Sequence, residues 1–166
     1  MSRKRADETP LDCPSCGDPS EVTQTQYGRR DTCVRCSLHS WHGKPMVSQE
    51  VHEARKHVGE KFDALWGDAE TMYGIEEERG TPAYDKAVAR VRGAAKARAR
   101  RYLAFVTGLP EPECHMAEQA DLDKLRTLWR AANAATPEKV RDWWKSEGVD
   151  WWEAMKAAAK EKEQAA

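Results

Sequence analysis

Four of the five cysteines in this chain are spaced to hold one metal ion. Cys13-Pro-Ser-Cys16-Gly17 is followed, after sixteen intervening residues, by Cys33-Val-Arg-Cys36. A thiolate is a soft, charged ligand, and four of them make a closed tetrahedral Zn2+ site of the structural kind. The two-residue spacer lets both sulfurs of one knuckle reach the same ion, and Gly17 permits a backbone turn that a Cβ would hinder. Cys13, Cys16, Cys33 and Cys36 are therefore expected to hold a single structural Zn2+. An iron-sulfur cluster and paired disulfides are the competing uses of such thiols. A redox Cys-x-x-Cys would lead a helix in a βαβ context, which is missing here. The chain also shows no apolar secretory segment, so the cytoplasm, where thiols stay reduced, is the expected location.

The other reactive side chains are less ordered. His39 and His42 stand close behind the second knuckle at i,i+3, and Cys114 and His115 are adjacent far along the chain. Together they are the candidates for a second metal or acid-base site. Hydrogen bonding to ribbon backbone or packing beside Trp41 competes for the histidines, and burial of a small apolar thiol competes for Cys114. No Gly-x-x-x-x-Gly-Lys-Ser/Thr, His-Glu-x-x-His or Gly-x-Ser-x-Gly pattern occurs, and His52-Glu53 is followed by His57 at i,i+5, which spoils the zincin spacing. A four-thiolate site leaves no position for an activated water. The reading favours a protein without catalysis, with a metal-dependent enzyme using the second His/Cys site as the minor alternative.

The elements that must carry these residues divide the chain into four expected parts. Residues 1–12, beginning Met-Ser-Arg-Lys-Arg, form a flexible basic arm. Residues 13–43 form the zinc ribbon, with Glu21–Tyr27 as a strand, Tyr27–Asp31 as the turn and Asp31–Cys33 as the returning strand. Residues 44–47 are a turn-like link, after which residues 48–134 form a helical domain. Ser48 caps its first helix, whose apolar positions Val51, Ala54, Val58, Phe62 and Leu65 or Trp66 recur at helical spacing before Gly67 and Asp68 stop it. Met72, Tyr73 and Ile75 fall in a connector. Leu122, Leu125, Leu128 or Trp129, and Ala132 mark a later amphipathic helix. Residues 136–166 form a tryptophan-rich helical segment that Glu147-Gly148 breaks and Asp150 recaps. The expected class is α+β, a small four-cysteine ribbon packed on a mainly helical remainder.

Charge is distributed unevenly along this plan. The 166 residues carry a formal charge of -1, from 27 Lys and Arg against 28 Asp and Glu. Residues 81–108 nevertheless hold seven cations and one acid, which leaves the rest of the chain acidic. Thr81-Pro82 starts a helix over 82–106 with Val88, Val91, Ala95, Ala99, Tyr102 and Val106 as its apolar stripe. Lys86, Arg90, Lys96, Arg100 and Arg101 lie on the opposite half. Such a helix can present positive charge to a phosphate backbone or to an acidic protein, or its cations can pair within the molecule. Mean hydropathy is -0.85, so the core must be thin and metal must supplement it. No stretch approaches the roughly 20 apolar residues that cross a bilayer. Trp143, Trp144, Trp151 and Trp152 offer more aromatic area than two short helices bury by themselves, and they suit core closure, a homodimer contact or another protein's surface.

Several segments taken in order resemble a zinc-finger-containing domain family of unknown function found in phages, prophages and bacteria. They are Cys13-Pro-Ser-Cys16-Gly17, Tyr27-Gly28, Cys33-Val-Arg-Cys36, His42, Lys44-Pro45, Ala54-Arg55-Lys56, Phe62-Asp63-Ala-Leu65-Trp66, Tyr102-Leu103 and Cys114-His115-Met116, over roughly residues 11–130. The resemblance implies a phage-like origin, a host-cytoplasm location, zinc on the four cysteines, and a contact role for His42 and the Cys114-His115 step. It implies no reaction. The functional expectation is a nucleic-acid-binding protein that uses Arg29, Arg30 and Arg35 on the ribbon and Arg90, Lys96, Arg100 and Arg101 on the basic helix, with DNA or RNA as partner. The alternative is a protein-interaction module that binds or inhibits a host factor.

Overall fold

The hairpin reverses in two residues. Strand β1 (Glu21–Thr25) pairs antiparallel with β2 (Gly28–Thr32), Thr25 opposite Gly28 and Glu21 opposite Thr32. The turn is therefore Gln26-Tyr27, and Gly28–Asp31, expected in the turn, belong to the strand. Gly28 takes φ +108, a conformation costly for other residues, so the chain enters β2 at once. The Thr25 hydroxyl closes the corner, donating to Gly28 O at 2.9 Å and accepting from Tyr27 N at 3.1 Å. Strand β3 (His39–Trp41) adds to the free side of β2 and gives the order β1-β2-β3. The 44–47 segment is more than a link, because Val47 exchanges two backbone hydrogen bonds with His39, at 2.9 and 3.0 Å. The computed structural model describes residues 9–164; most of the expected basic arm, residues 1–8, lies outside the described residues.

Helix α1 (Gln49–Asp63) starts where Ser48 Oγ accepts from Val51 N at 3.3 Å. It unwinds through bonds such as Gly67 N to Asp63 O at 2.8 Å. Ala69–Tyr73 then forms a short helix α2 where a connector was expected. Helix α3 (Pro82–Thr107) has the expected limits. The Thr81 side chain accepts from Tyr84 N, Pro82 sits in the first turn, and left-handed Gly108 donates to Ala104 O at 2.9 Å. Its buried stripe is Ala87, Ala95, Ala99, Leu103 and Ala104, while Val106, expected inside, is 44% exposed. Small side chains let α2 and two later helices come close to the α3 axis, which moves the seam onto the alanines.

A 3-10 turn (Glu111–Cys114) leads to α4 (Leu122–Ala134), capped by Asp121 Oδ1, which accepts from Asp123 N and Lys124 N. Thr136 caps α5 (Pro137–Trp143) in the same way. The expected break at Glu147-Gly148 is absent. The chain passes through a π-helical turn (Trp144–Gly148) straight into α6 (Val149–Gln164), so Asp150 lies inside a helix and caps nothing. Gly148 is there for space: a Cβ on it would stand 2.9 Å from carbons of both the Trp143 and Trp144 rings.

Residues to Ala54 form one compact unit and residues from Arg55 a second. The division falls inside α1 rather than at 44–47, and residues 136–166 belong to the second unit. The first unit has a core cluster of Cys13, Cys33 and Met46 with Leu11, Cys16, Cys36 and Leu38 packed against it, and also buries Val47 and Val51. The second unit is cored by Val58, Leu103, Cys114, Leu125 and Leu128, all essentially without solvent contact.

Candidate metal centre and basic face

The two knuckles are built alike. Cys13 N donates to Asp18 O and Gly17 N to Cys13 O; Cys33 N donates to Leu38 O and Ser37 N to Cys33 O, all at 2.8–2.9 Å. The fourth residue after each leading cysteine is left-handed, Gly17 at φ +77 and Ser37 at φ +56. That fold of the backbone turns both sulfurs of each knuckle inward, and Cys36 N donates to Cys33 Sγ at 3.3 Å. The four sulfurs lie within 4.8 Å of one another, with Cys16 Sγ and Cys33 Sγ 3.6 Å apart. A tetrahedron with Zn–S bonds of about 2.3 Å has edges of about 3.8 Å, so the donor set fits Zn2+ in size as well as in softness. All four cysteines are free thiols, at distances well beyond the length of a disulfide bond. The cluster is thus consistent with one structural Zn2+ site in a ribbon of mixed α/β surroundings.

No protein-family model, curated protein or solved structure matches the chain.

Beneath the sheet lies a polar centre that the sequence reading gave another role. Asp31 is fully buried and receives Arg29 in a two-point pair, Nε to Oδ2 at 2.9 Å and Nη2 to Oδ1 at 2.6 Å. Ser20 Oγ and Leu11 N also donate to Oδ1, at 3.2 and 3.4 Å. The Arg29 hydrogen bonds are the chief reason that the Asp31 carboxyl is held below the usual carboxylate range. Arg29 further donates to Thr9 O at 2.6 Å. This guanidinium ties the segment before the first knuckle to β2 and does not form part of an outer rim. The Arg29-x-Asp31 spacing, which puts both side chains on one face of a strand, was the available signal.

His39, His42, Cys114 and His115 form no group of three or more close enough to share a metal among the described residues. His39 is buried in the first unit and stacks on His52 with ring centroids 4.0 Å apart, while His52 Nε2 lies 3.1 Å from His39 O. Burial first, then the neighbouring His52 and Arg30, pulls the His39 imidazole below its usual value and favours its neutral form. His42 takes φ +54 and lays its ring over Gly28. Cys114, in the second unit, has no exposed surface, and burial pushes its thiol up to about 11. Among the described residues the ribbon cysteines are the one group of three or more side chains close enough to share a metal.

Gly28 is therefore constrained twice, by its φ and by the His42 ring, whose Nδ1 would stand 2.9 Å from an added Cβ, with Cε1 closer still. Gly28→Ala is expected to destabilise the ribbon by about 1–3 kcal/mol, the usual range for overpacking. Thermal unfolding of zinc-loaded protein measures it, and an unchanged midpoint would contradict the close packing of His42 on the turn.

The remaining ribbon cations differ. Arg35 is 73% exposed and only loosely paired with Asp18, at 3.7 Å. Arg30 lies over the Trp41 ring at 5.4 Å. On α3, Arg92 is held by Glu70, with contacts of 2.5 and 2.8 Å, and Arg90, 76% exposed, reaches Glu77 only at 3.8 Å. Lys96 stands over Trp66 at 4.8 Å. Arg98 and Arg101, the former outside the expected contact set, lie over aromatic rings of the second unit. Trp143 is buried, with Tyr102, Phe105 and Trp151 packed at 5.2–5.9 Å, so this member of the tryptophan set closes a core. Trp144, Trp151 and Trp152 are half-buried.

Proposed function

We propose that the chain is a phage-type zinc-ribbon protein that binds nucleic acid without catalysis, with α3 supplying phosphate contacts and Arg30 and Arg35 of the ribbon adding to them. The observation that carries this reading is the charge left over on α3. Of its seven cations, Arg92 has a close carboxylate and Arg90 a distant one. Lys86, Lys96, Arg98, Arg100 and Arg101 have none at ion-pair distance among the described residues. Packing a cation on a ring does not neutralise it, so the helix keeps a net positive charge. Arg29 leaves the contact set because Asp31 holds it inside the ribbon. Among the described residues no helix is long and apolar enough to cross a membrane.

The test is binding of zinc-loaded protein to labelled DNA and RNA across a salt series. Replacing Lys86, Arg90 and Lys96 together by Ala is expected to weaken binding and to flatten the salt slope by roughly 2–3, as about 0.7–0.9 is lost per phosphate contact. Zinc content should not change. Equal affinity and equal slope would refute the assignment of α3.

A second reading, contact with a host protein or a second copy of the chain in the host cytoplasm, is favoured by α6. That 16-residue helix buries no residue fully, and Val149 and Met155 are 46% and 44% exposed. A stoichiometric protein that co-purifies through nuclease and high salt would support it over the first.

A further inference from the structure

Where α3 meets the π-helical turn and α6, cations and rings alternate. Arg98 lies over Tyr73 at 5.1 Å and over Trp144 at 5.6 Å; Arg101 lies over Trp144 at 5.5 Å and over Trp152 at 3.9 Å. The sequence offers the basic helix and the tryptophan pairs as separate candidate surfaces, but in the second unit they are one ladder. A guanidinium stacked on a ring keeps its charge and turns its N–H edge away from the ring face. Arg98 and Arg101 stand three positions apart on one face of α3, share the Trp144 ring, and have no ion-pair partner among the described residues.

The ladder is also short of acceptors. Nε of Arg101 is buried and has no hydrogen-bond partner. Burial is the main pressure that lowers the Arg101 pKa; Arg100 and Arg98 add to it, and Glu111 opposes it. A guanidinium does not shed its proton in a protein, so the relief open to this cluster is an anion or another strong acceptor. Aromatic rings set among such cations add a second kind of affinity, for flat apolar surfaces.

We propose that this ladder is a binding site for single-stranded nucleic acid, in which Arg98 and Arg101 take backbone phosphates and the half-buried Trp152 stacks an unpaired base. The inference rests on the nucleic-acid reading of α3 and narrows it. A duplex offers phosphates but keeps its base faces stacked inside, whereas a single strand offers both groups in alternation along one chain. An acidic peptide would satisfy the arginines and leave the indole unused.

The experiment compares anisotropy of a labelled oligothymidylate and an oligouridylate with their matched duplexes on the full zinc-loaded chain, with polyglutamate as competitor. The single strands are expected to bind about tenfold tighter than the duplexes, in line with the stacking of a base on one aromatic ring. Trp152→Leu is expected to cost about tenfold in single-strand affinity and to abolish the preference over duplex. Arg101→Lys keeps the charge and leaves Trp152 in place but loses the planar fork, and the preference should fall with it. If either variant loses helical signal, the other still decides. Duplex binding as tight as single-strand binding would overturn this inference and leave the wider reading standing. No binding to any nucleic acid would overturn both. Displacement by polyglutamate at equal charge concentration would mark a general polyanion site and would also overturn the single-strand assignment.

Discussion

Removing the metal, or replacing Cys33 with Ser, is expected to unfold the sheet of residues 21–41. Cys13 and Cys33 form, with Met46, the buried cluster at the knuckles, and among the described residues the other buried apolar side chains of the first unit are only Val47 and Val51. Three strands with β1 almost wholly exposed cannot stand on that core alone. Structural zinc in small fingers contributes about 10–16 kcal/mol of apparent binding free energy, which matches or exceeds the total stability of most domains. The second unit has its own buried leucines, so the helical far-UV signal should largely survive while the amide resonances of β1 to β3 collapse. If those resonances persist after verified loss of zinc, the metal is not what holds the ribbon.

Arg29→Met should be the next most damaging change in the first unit, at about 3–5 kcal/mol. It leaves the Asp31 carboxylate buried with only Ser20 Oγ and Leu11 N to meet it. Because Asp31 titrates below its unfolded value, its contribution is complete above about pH 4 and fades as the pH falls through the lowered pKa. The cost of Arg29→Met is therefore fully expressed at neutral pH. Converting both partners, Arg29→Met with Asp31→Leu, should recover much of the loss, since an apolar pair needs no compensation. Denaturant unfolding of the zinc-loaded proteins at pH 7 gives the comparison. A loss below about 1 kcal/mol would return Arg29 to the surface as an ordinary cation. Any nucleic-acid affinity that Arg29→Met removes would then have to be read against the stability it also removes.

The parts of the fold legible in the sequence were those with local causes. The four cysteines follow from spacing, and the α3 limits follow from Thr81-Pro82 and Gly108, because knuckles and caps are made within a few residues. The hairpin was misplaced by Gly28, which serves both to end a turn and to begin a strand. Glycine again misled at Gly148, where it makes room for two indoles instead of stopping a helix. Long-range partners were out of reach. Arg29 looks like any rim arginine until Asp31 is seen buried, and Arg98 and Arg101 look free until the π-helical turn and α6 bring tryptophans over them. His39 was expected to bond to ribbon backbone or to pack beside Trp41, and it stacks on His52 of α1 instead.

The π-helical turn sets the angular phase of the aromatic residues. Trp143-Trp144 and Trp151-Trp152 are eight positions apart, and in a regular helix, at about 100° per residue, that spacing would swing the second pair about 80° away from the first. One residue taken up by the wide turn makes the separation behave as seven, which returns the second pair to within about 20° of the first. Both pairs can then lie along α3, as the contacts of Trp143 and Trp151 with Phe105 require. Deleting Ser146 from the wide turn would keep that alignment in a plain α-helix, whereas adding a residue there would rotate Trp151 and Trp152 off the arginines. The turn acts as a one-residue gear tooth, and apart from Gly148 the length of the segment between the tryptophan pairs matters more than its composition.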